Sequence, residues 1–129
     1  MTSPVGLGTD LMEVARITES IEKHGDRFLS RCFTDAERAD ATRSGEGRSF
    51  ERFAARFAAK EAVLKALGTG WSGGIAWTDV EVSSNDSGAP SVTLSGRAAE
   101  IAADLRIRSW LCSMTHTATH ASATVIALG

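Results

Sequence analysis

The chain has 129 residues, of which 43% are hydrophobic and 23% are charged, and its formal net charge at pH 7 is −2. This size and composition are typical of one soluble globular domain, which we expect to span residues 1–129. The slight acidity argues against nucleic acid as a partner, because nucleic-acid-binding domains usually carry a basic excess. No apolar run reaches the roughly 18 residues that span a bilayer, and the N-terminus lacks the features of a signal peptide. We therefore expect a cytoplasmic protein without a membrane segment.

The spacing of apolar residues predicts an α+β fold. The predicted elements, in chain order, are a strand over residues 4–9, a helix over 11–23, a helical turn over 27–32, helices over 35–43 and 49–67, strands over 78–84 and 91–95, a helix over 97–104, and strands over 106–115 and 121–128. A capping-box sequence that starts at Thr34 supports the helix over 35–43, and Gly68 is a C-cap for the long helix. We expect a mostly antiparallel sheet packed against the long central helix and the shorter helices.

A carboxylate interrupts the apolar face of the longest predicted helix. At roughly 100° per residue, Glu61 falls near the centre of that face. The apolar members of the face are Phe50, Phe53, Ala54, Phe57 and Leu64. Burying an unpaired carboxylate costs several kcal/mol, so such a group normally has a cation beside it. Lys65, one turn further on, could supply the cation, and so could a divalent metal ion if a second carboxylate reaches the same place.

Three runs of sequence resemble the holo-acyl-carrier-protein synthase family of 4'-phosphopantetheinyl transferases. They are GLGTDLMEVARI at 6–17, RFAAKEAVLKALGTG at 56–70, and SMTH at 113–116 followed by the strand-like ASATVIAL at 121–128. The matching residues are Gly8, Asp10, Arg16 and Ile17 in the first run, Phe57, Lys60, Glu61, Ala62, Lys65, Ala66, Gly68, Thr69 and Gly70 in the second, and Ser113, Thr115 and His116 in the third. The resemblance covers essentially the whole chain.

The resemblance implies a Mg²⁺-dependent transferase. The enzyme would move 4'-phosphopantetheine from coenzyme A to a serine of an apo acyl carrier protein in fatty acid biosynthesis, and it would release 3',5'-adenosine bisphosphate. The resemblance also implies the 4'-phosphopantetheinyl transferase fold and a homotrimer whose active sites lie between neighbouring subunits.

The resemblance gives catalytic roles to three residues. Asp10 and Glu61 would hold Mg²⁺, which prefers oxygen ligands and needs few from the protein, and Lys65 would lie beside the transferred phosphate. The serine proton would leave to a metal-bound water or to a nearby carboxylate such as Glu61. Without the resemblance, Asp10 is better explained as the N-cap of the next helix. Glu61 and Lys65 would then be an ordinary helix ion pair worth about 0.3–0.5 kcal/mol.

The resemblance also implies contacts with coenzyme A. The residues expected there are Lys65, Gly68, Thr69, Gly70, Pro90 and His116. Taken alone, Gly-Thr-Gly is a helix stop, the Gly-Ala-Pro before the second hairpin strand is a turn, and a strand histidine is more often structural. Lys60, at the edge of the apolar face, could equally be solvated.

The carrier protein is expected to dock on the first predicted helix and the turn after it. The resemblance implies that Arg16 meets a carboxylate of the carrier beside the modified serine, and Arg27 and Arg31 could extend the basic surface. Glu19 and Glu22 dilute the basic character of the helix, which is a departure from the family pattern.

The two cysteines and two of the tryptophans show no sign of a catalytic role. Cys32 and Cys112 lie far apart in the sequence without the spacing of a metal site, so we expect two buried or half-buried thiols in a reducing compartment. Trp71 and Trp77 belong either to the core or to an interface.

Two functions are alternatives to the transferase: one would use the same fold, and the other would use the same metal ion. One is a carrier-binding module that has lost the chemistry, against which the intact Asp10, Glu61 and Lys65 argue. The other is a carboxylate–Mg²⁺ hydrolase that cleaves pyrophosphates, which would need a positioned water and no protein acceptor.

Overall fold

The structure is a computed structural model that describes residues 2–43, 46–70, 72–84 and 88–129. The chain adopts an α+β fold, as the sequence predicts. Its elements are β1 (Pro4–Glu13), α1 (Val14–His24), α2 (Asp26–Cys32), α3 (Asp35–Thr42), α4 (Ser49–Leu67), β2 (Val80–Ser84), β3 (Pro90–Leu94), α5 (Gly96–Asp104), β4 (Ser109–His116) and β5 (His120–Leu128), with short 3₁₀ helices at Glu46–Arg48 and Trp77–Asp79. The predicted capping box at Thr34 and the predicted C-cap at Gly68 are both confirmed, and Gly68 adopts the left-handed conformation.

The strands form two antiparallel sheets. Three strands pair in the order β1-β5-β4, and β2 pairs with β3 as a hairpin. The long helix α4 lies across one face of the three-stranded sheet, where a nearly continuous apolar core forms between them. None of the helices in the described ranges has the length and apolarity needed to cross a bilayer.

The first strand is longer than predicted, and this changes the position of Asp10. β1 continues past Asp10 to Glu13, because its backbone stays paired with β5 as far as the match of Glu13 with His120. Asp10 therefore sits within the strand opposite Ala123, and α1 begins only at Val14. The expected helix start at residue 11 is wrong, and Asp10 is not the N-cap of α1.

Small residues let β1 and α4 approach each other closely. A Cβ added at Gly6 would stand 2.8 Å from the carbonyl oxygen of Ala66, and a Cβ at Gly8 would overlap the backbone of Ala62. Ala62 and Ala66 are one turn apart on α4, so their spacing along the helix matches the spacing of Gly8 and Gly6 along the strand. The next inward residue of β1 is Asp10, which is thereby brought against the side of α4.

Lys60 is fully buried, which excludes the solvated alternative. Its ammonium group pairs with Glu37 of α3 at 2.8 Å and donates to the carbonyl oxygens of Trp77, at 3.0 Å, and Val80. The second oxygen of the Glu37 carboxylate accepts from the backbone N–H of Val82 at 2.7 Å. This buried ion pair therefore ties α3, α4 and the β2–β3 hairpin together.

The cysteines and one tryptophan occupy structural positions. Cys32 is buried and Cys112 is half-buried, both are free thiols, and burial raises the pKa of Cys112 to about 11. Trp77 packs on Phe57 with ring centroids 4.7 Å apart, so it belongs to the core. The expectation for Trp71 lies outside the described residues, as do residues 44–45 and 85–87, where the sequence predicts part of a loop and the first half of a turn.

Candidate active site

The structure brings together the three residues that the sequence singled out for catalysis. Lys65 of α4 donates from its ammonium group to Asp10 Oδ1 at 2.9 Å and to the carbonyl oxygen of Thr9 at 2.8 Å. The lysine side chain is 52% exposed, whereas that of Asp10 is 15% exposed. Lys65 thus reaches across from α4 to β1, and the site opens to solvent on the lysine side.

Glu61 lies in the same cluster and carries an electrostatic penalty. Burial raises the pKa of its carboxyl group, the negative charge of Asp10 raises it further, and Lys65 opposes both effects. Two carboxylates therefore share one ammonium group. Such a site has an unsatisfied demand for positive charge.

An unpaired atom indicates what this cluster could hold. Asp10 Oδ2 is buried and has no hydrogen-bond partner among the residues that the structure describes. Within the same ranges, no three histidine, cysteine, aspartate or glutamate side chains gather as a metal-binding group. The site therefore offers two hard oxygen donors, which suits Mg²⁺ because that ion keeps several waters and substrate oxygens among its ligands.

A second candidate site, a basic pocket, lies where α3, α4, the hairpin and β4 meet. It is a cavity of about 300 Å³. The lining residues that matter for its chemistry are Asp40, Arg43, Arg52, Arg56, Gly88 and His116. Three arginines and one histidine converge on this space, and among the described residues that line it only Asp40 carries a carboxylate, so the basic pocket favours an anion.

Two buried arginine atoms in the basic pocket have no partner within the described ranges. They are Arg52 Nη1 and Arg56 Nε. Arg56 is only 5% exposed, and its Nη2 donates to Ser84 Oγ at 3.1 Å and lies 3.7 Å from Asp40 Oδ2. Burial lowers the pKa of Arg56, and Asp40 opposes that shift. A buried guanidinium group whose N–H groups lack acceptors is well suited to bind a phosphate or carboxylate group.

The carboxylate cluster and the basic pocket lie on opposite flanks of α4. At 100° per residue, Arg52 and Glu61 point about 180° apart around the helix axis. The sheet agrees with this division, because Asp10 is on edge strand β1 and His116 is on the opposite edge strand, β4. One copy of the chain therefore presents the two sites to different surroundings.

The segments expected to contact coenzyme A fall into two groups. Gly68, with φ +79°, ends α4, and the N–H groups of Thr69 and Gly70 point back to the carbonyl oxygen of Leu64. This Gly-Thr-Gly segment therefore acts as a C-cap next to Lys65. His116 lies in the basic pocket on the other flank, together with Gly88, which is two residues before Pro90.

The three arginines expected to bind the carrier are exposed on α1 and α2. Arg27 and Arg31 line a small cavity with Phe28 and His24, which gives the surface an apolar floor with basic walls. Glu19 and Glu22 line a different groove, beside Glu13 and His120. The acidic residues of α1 therefore do not face the Arg27–Arg31 cavity.

Sequence reasoning missed most of the basic pocket. Arg52 and Arg56 are one turn apart in the same helix as Glu61, so a helical wheel could have placed them together on the opposite flank. Asp40 of α3 and Arg43, the C-cap of that helix, could not be assigned to the pocket, because only the fold brings α3 beside α4 and β2.

A family model for the 4'-phosphopantetheinyl transferase superfamily matches residues 6–123. Among curated relatives, a holo-[acyl-carrier-protein] synthase of Solibacter usitatus is 48% identical over 122 residues, which cover 95% of this chain and 96% of the relative. A protein of the same name from Desulforudis audaxviator is 48% identical over 125 residues, covering 97% of this chain and 93% of the relative.

Solved structures of similar proteins agree with the fold. A holo-(acyl-carrier-protein) synthase from Bacillus anthracis, in complex with coenzyme A (3',5'-ADP), has 34% identity and a TM-score of 0.77, with 98% of this chain and 97% of that chain covered. The Helicobacter pylori holo-[acyl-carrier-protein] synthase in complex with coenzyme A has 30% identity and a TM-score of 0.79, with 94% and 98% covered.

Proposed function

Because the chain belongs to the 4'-phosphopantetheinyl transferase superfamily, we propose that it is a holo-[acyl-carrier-protein] synthase. It transfers 4'-phosphopantetheine from coenzyme A to a serine of an apo acyl carrier protein and releases 3',5'-adenosine bisphosphate. The observation that carries the proposal is the meeting of Asp10, Glu61 and Lys65 at one partly open site. In this role the protein works in the cytoplasm and serves fatty acid biosynthesis.

Asp10 and Glu61 are the residues that would hold Mg²⁺. Support comes from the unpartnered Asp10 Oδ2 and from the raised pKa of Glu61, since both express a demand for a cation. When bound, Mg²⁺ neutralises the charge of a pyrophosphate and orients it for in-line displacement.

Lys65 is a source of positive charge at this site that the protein provides without the metal ion. Its ammonium group already lies 2.9 Å from Asp10 Oδ1 and is half exposed, so it can meet an oxygen of a bound pyrophosphate. As the phosphorus–oxygen bond to the nucleotide breaks, negative charge grows on the departing phosphate, and the lysine stabilises that charge. The Gly-Thr-Gly cap that follows lets the main chain come close to the same substrate.

The basic pocket takes an anionic phosphate of the nucleotide part of coenzyme A. Arg52 and Arg56 offer unpartnered donors there, and His116 contributes a ring nitrogen. Gly88, which has φ +86°, leaves room for the base or ribose beside the Pro90 turn. We assign this pocket to binding and orientation of the substrate, and we assign the chemistry to the other flank of α4.

The two flanks form one complete site only between two copies of the chain. The face of the β1-β5-β4 sheet that points away from α4 exposes a patch of large apolar side chains. Its members are Val5, Leu7, Leu11 and Leu111, which are 52–67% exposed. Apolar patches of this kind mark protein interfaces. We propose that three copies pack through this face, so that each cleft combines the Glu61 flank of one subunit with the Arg52 flank of its neighbour.

Mixed assemblies test this arrangement. Glu61→Gln and the double variant Arg52→Gln/His116→Gln should each have low transfer activity when assayed alone. When subunits of the two variants are unfolded together and refolded, the mixed trimers should regain activity. When equal amounts of the two variants mix at random, about one site in four has both flanks intact. About a quarter of wild-type activity should therefore return. Failure to regain activity in trimers shown by native mass spectrometry to be mixed would contradict the arrangement.

Product analysis tests the reaction itself. With coenzyme A and Mg²⁺, 3',5'-adenosine bisphosphate should appear only when an apo carrier protein is present. A hydrolase would release the nucleotide and free phosphopantetheine without any carrier, and a degenerate carrier-binding module would release neither. Either of those results would replace the transferase proposal.

A further inference from the structure

A histidine that lines the basic pocket is paired with a glutamate outside its lining. His116 Nδ1 lies 2.9 Å from Glu51 Oε1, and the two side chains are 29% and 20% exposed. His116 lines the basic pocket, whereas Glu51, in the first turn of α4, is not among its lining residues. The carboxylate therefore holds the side of the ring that carries Nδ1, which leaves Nε2 as the nitrogen that can meet a ligand.

We propose that Glu51 is a positioning residue for coenzyme A, acting through His116. This inference rests on the proposed function of the basic pocket. Glu51 accepts the hydrogen of Nδ1 and so fixes the ring. A neutral imidazole with its hydrogen on Nδ1 has only a lone pair at Nε2, which a phosphate oxygen repels. In those molecules whose free ring is neutral, binding of a phosphate is therefore coupled to the uptake of a proton from solvent at Nε2, after which the ring donates to Glu51 and to the ligand at once.

The other described charged residues that line the basic pocket are Arg43, Arg52, Arg56 and Asp40. Arginine side chains are in general charged at every ordinary pH. Asp40 is held in ion pairs with Arg43 and Arg56. Histidine is the side chain that titrates near neutral pH, so among the described residues that line this cavity it is His116 that can carry the coupling.

Calorimetric titration of coenzyme A into the trimeric protein tests the inference. Titrations near pH 7 in two buffers with different ionisation enthalpies give the number of protons taken up per ligand. Wild type should take up a fraction of a proton, His116→Gln should take up almost none, and Glu51→Gln should lose most of the uptake. The glutamine keeps a hydrogen-bond acceptor for Nδ1 and removes only the charge. Glu100→Gln, an exposed glutamate on α5, is the matched control and should behave as wild type.

A double-mutant cycle separates positioning from a merely structural role. Glu51→Gln should weaken coenzyme A binding about three- to tenfold in the wild-type background. In the His116→Gln background the same change should have almost no effect, because the residue through which Glu51 acts is gone. Undiminished proton uptake in Glu51→Gln, or an equal loss of affinity in both backgrounds, would overturn the inference and leave the transferase proposal intact. Failure of the wild type to bind coenzyme A would overturn both.

Discussion

Gly8 of β1 lies so close to Ala62 of α4 that a Cβ at position 8 would overlap the Ala62 carbonyl oxygen. This contact explains the glycine in the first sequence motif. A side chain at position 8 would push the strand away from the helix, and Asp10, two residues later, would lose its place beside Lys65 and Glu61. The glycine is therefore needed for the distance between β1 and α4, and through that distance it sets the geometry of the cluster of Asp10, Glu61 and Lys65.

Replacing this glycine should damage both stability and activity. We expect Gly8→Ala to lower the free energy of unfolding by about 1–3 kcal/mol, because the clash is with backbone and can be relieved only by moving α4. Transfer activity should fall by more than the loss of folded protein explains. Urea denaturation and turnover measured on the same sample check this. Gly47→Ala is the control, since a Cβ there meets nothing within 4 Å. Equal effects of the two variants would refute the role given to Gly8.

The raised pKa of Glu61 predicts that its charged carboxylate lowers the stability of the folded protein at neutral pH. Its pKa in the folded protein lies above the ordinary value of 4.5, so the folded state holds this proton more tightly than the unfolded chain does. The charged form therefore penalises folding at neutral pH, and the penalty fades as the pH falls through the raised pKa toward 4.5. In EDTA, Glu61→Gln should melt above wild type at pH 7.5, and the difference should shrink as the buffer becomes more acidic.

Mg²⁺ should reverse that order. Because the ion binds the folded wild type, it should raise the melting temperature of the wild type and leave Glu61→Gln almost unchanged. Glu100→Gln should match wild type throughout. A Glu61→Gln variant that is less stable than wild type in EDTA, or that gains as much from Mg²⁺, would count against the carboxylate cluster as a cation site.

The buried pair of Lys60 and Glu37 predicts a large loss when only one partner is removed. Both side chains are 0% exposed. Lys60→Met should cost about 3–5 kcal/mol in chemical denaturation, because it leaves a buried carboxylate without its cation. Adding Glu37→Gln should recover part of the loss, since the neutral amide leaves no unpaired charge. Losses that simply add in the double variant would show that the two residues are not energetically coupled.

The surface on α1 and α2 predicts an effect that is confined to the carrier protein. Arg27→Glu should raise the KM for the acyl carrier protein at least tenfold, because carriers are acidic and the reversed charge repels them. The KM for coenzyme A should stay the same. Arg106→Glu, the same exposed charge reversal on the connection after α5, is the control. If the KM for coenzyme A rises as well, Arg27 does not act in carrier docking alone.

Local signals allowed much of this fold to be predicted from the sequence. The bounds of α4, Ser49–Leu67, agree with the prediction because Gly68 caps the helix, and the capping box placed α3. The long-range features were less accessible. β1 extends to Glu13 because β5 continues to pair with it, and Lys60 is buried because Glu37 arrives from another helix. Neither partner can be recognised from the spacing of residues along one element.

The candidate site divides in the same way. Asp10, Glu61 and Lys65 lie in continuous motifs, so they could be proposed before their contact was known. The basic pocket takes its residues from two helices, a hairpin and an edge strand, and only Arg52 and Arg56 share a sequence pattern. The pair of Glu51 and His116 is separated by 65 residues and depends wholly on the packing of α4 against β4.

The most direct test of the proposed function is the intact mass of an apo acyl carrier protein after incubation with this protein, coenzyme A and Mg²⁺. We expect a gain of one phosphopantetheine unit on the carrier, which is lost when EDTA is added and when Glu61→Gln replaces the wild type. An unchanged carrier mass, in a sample where binding of coenzyme A has been verified and several carriers have been tried, would contradict it.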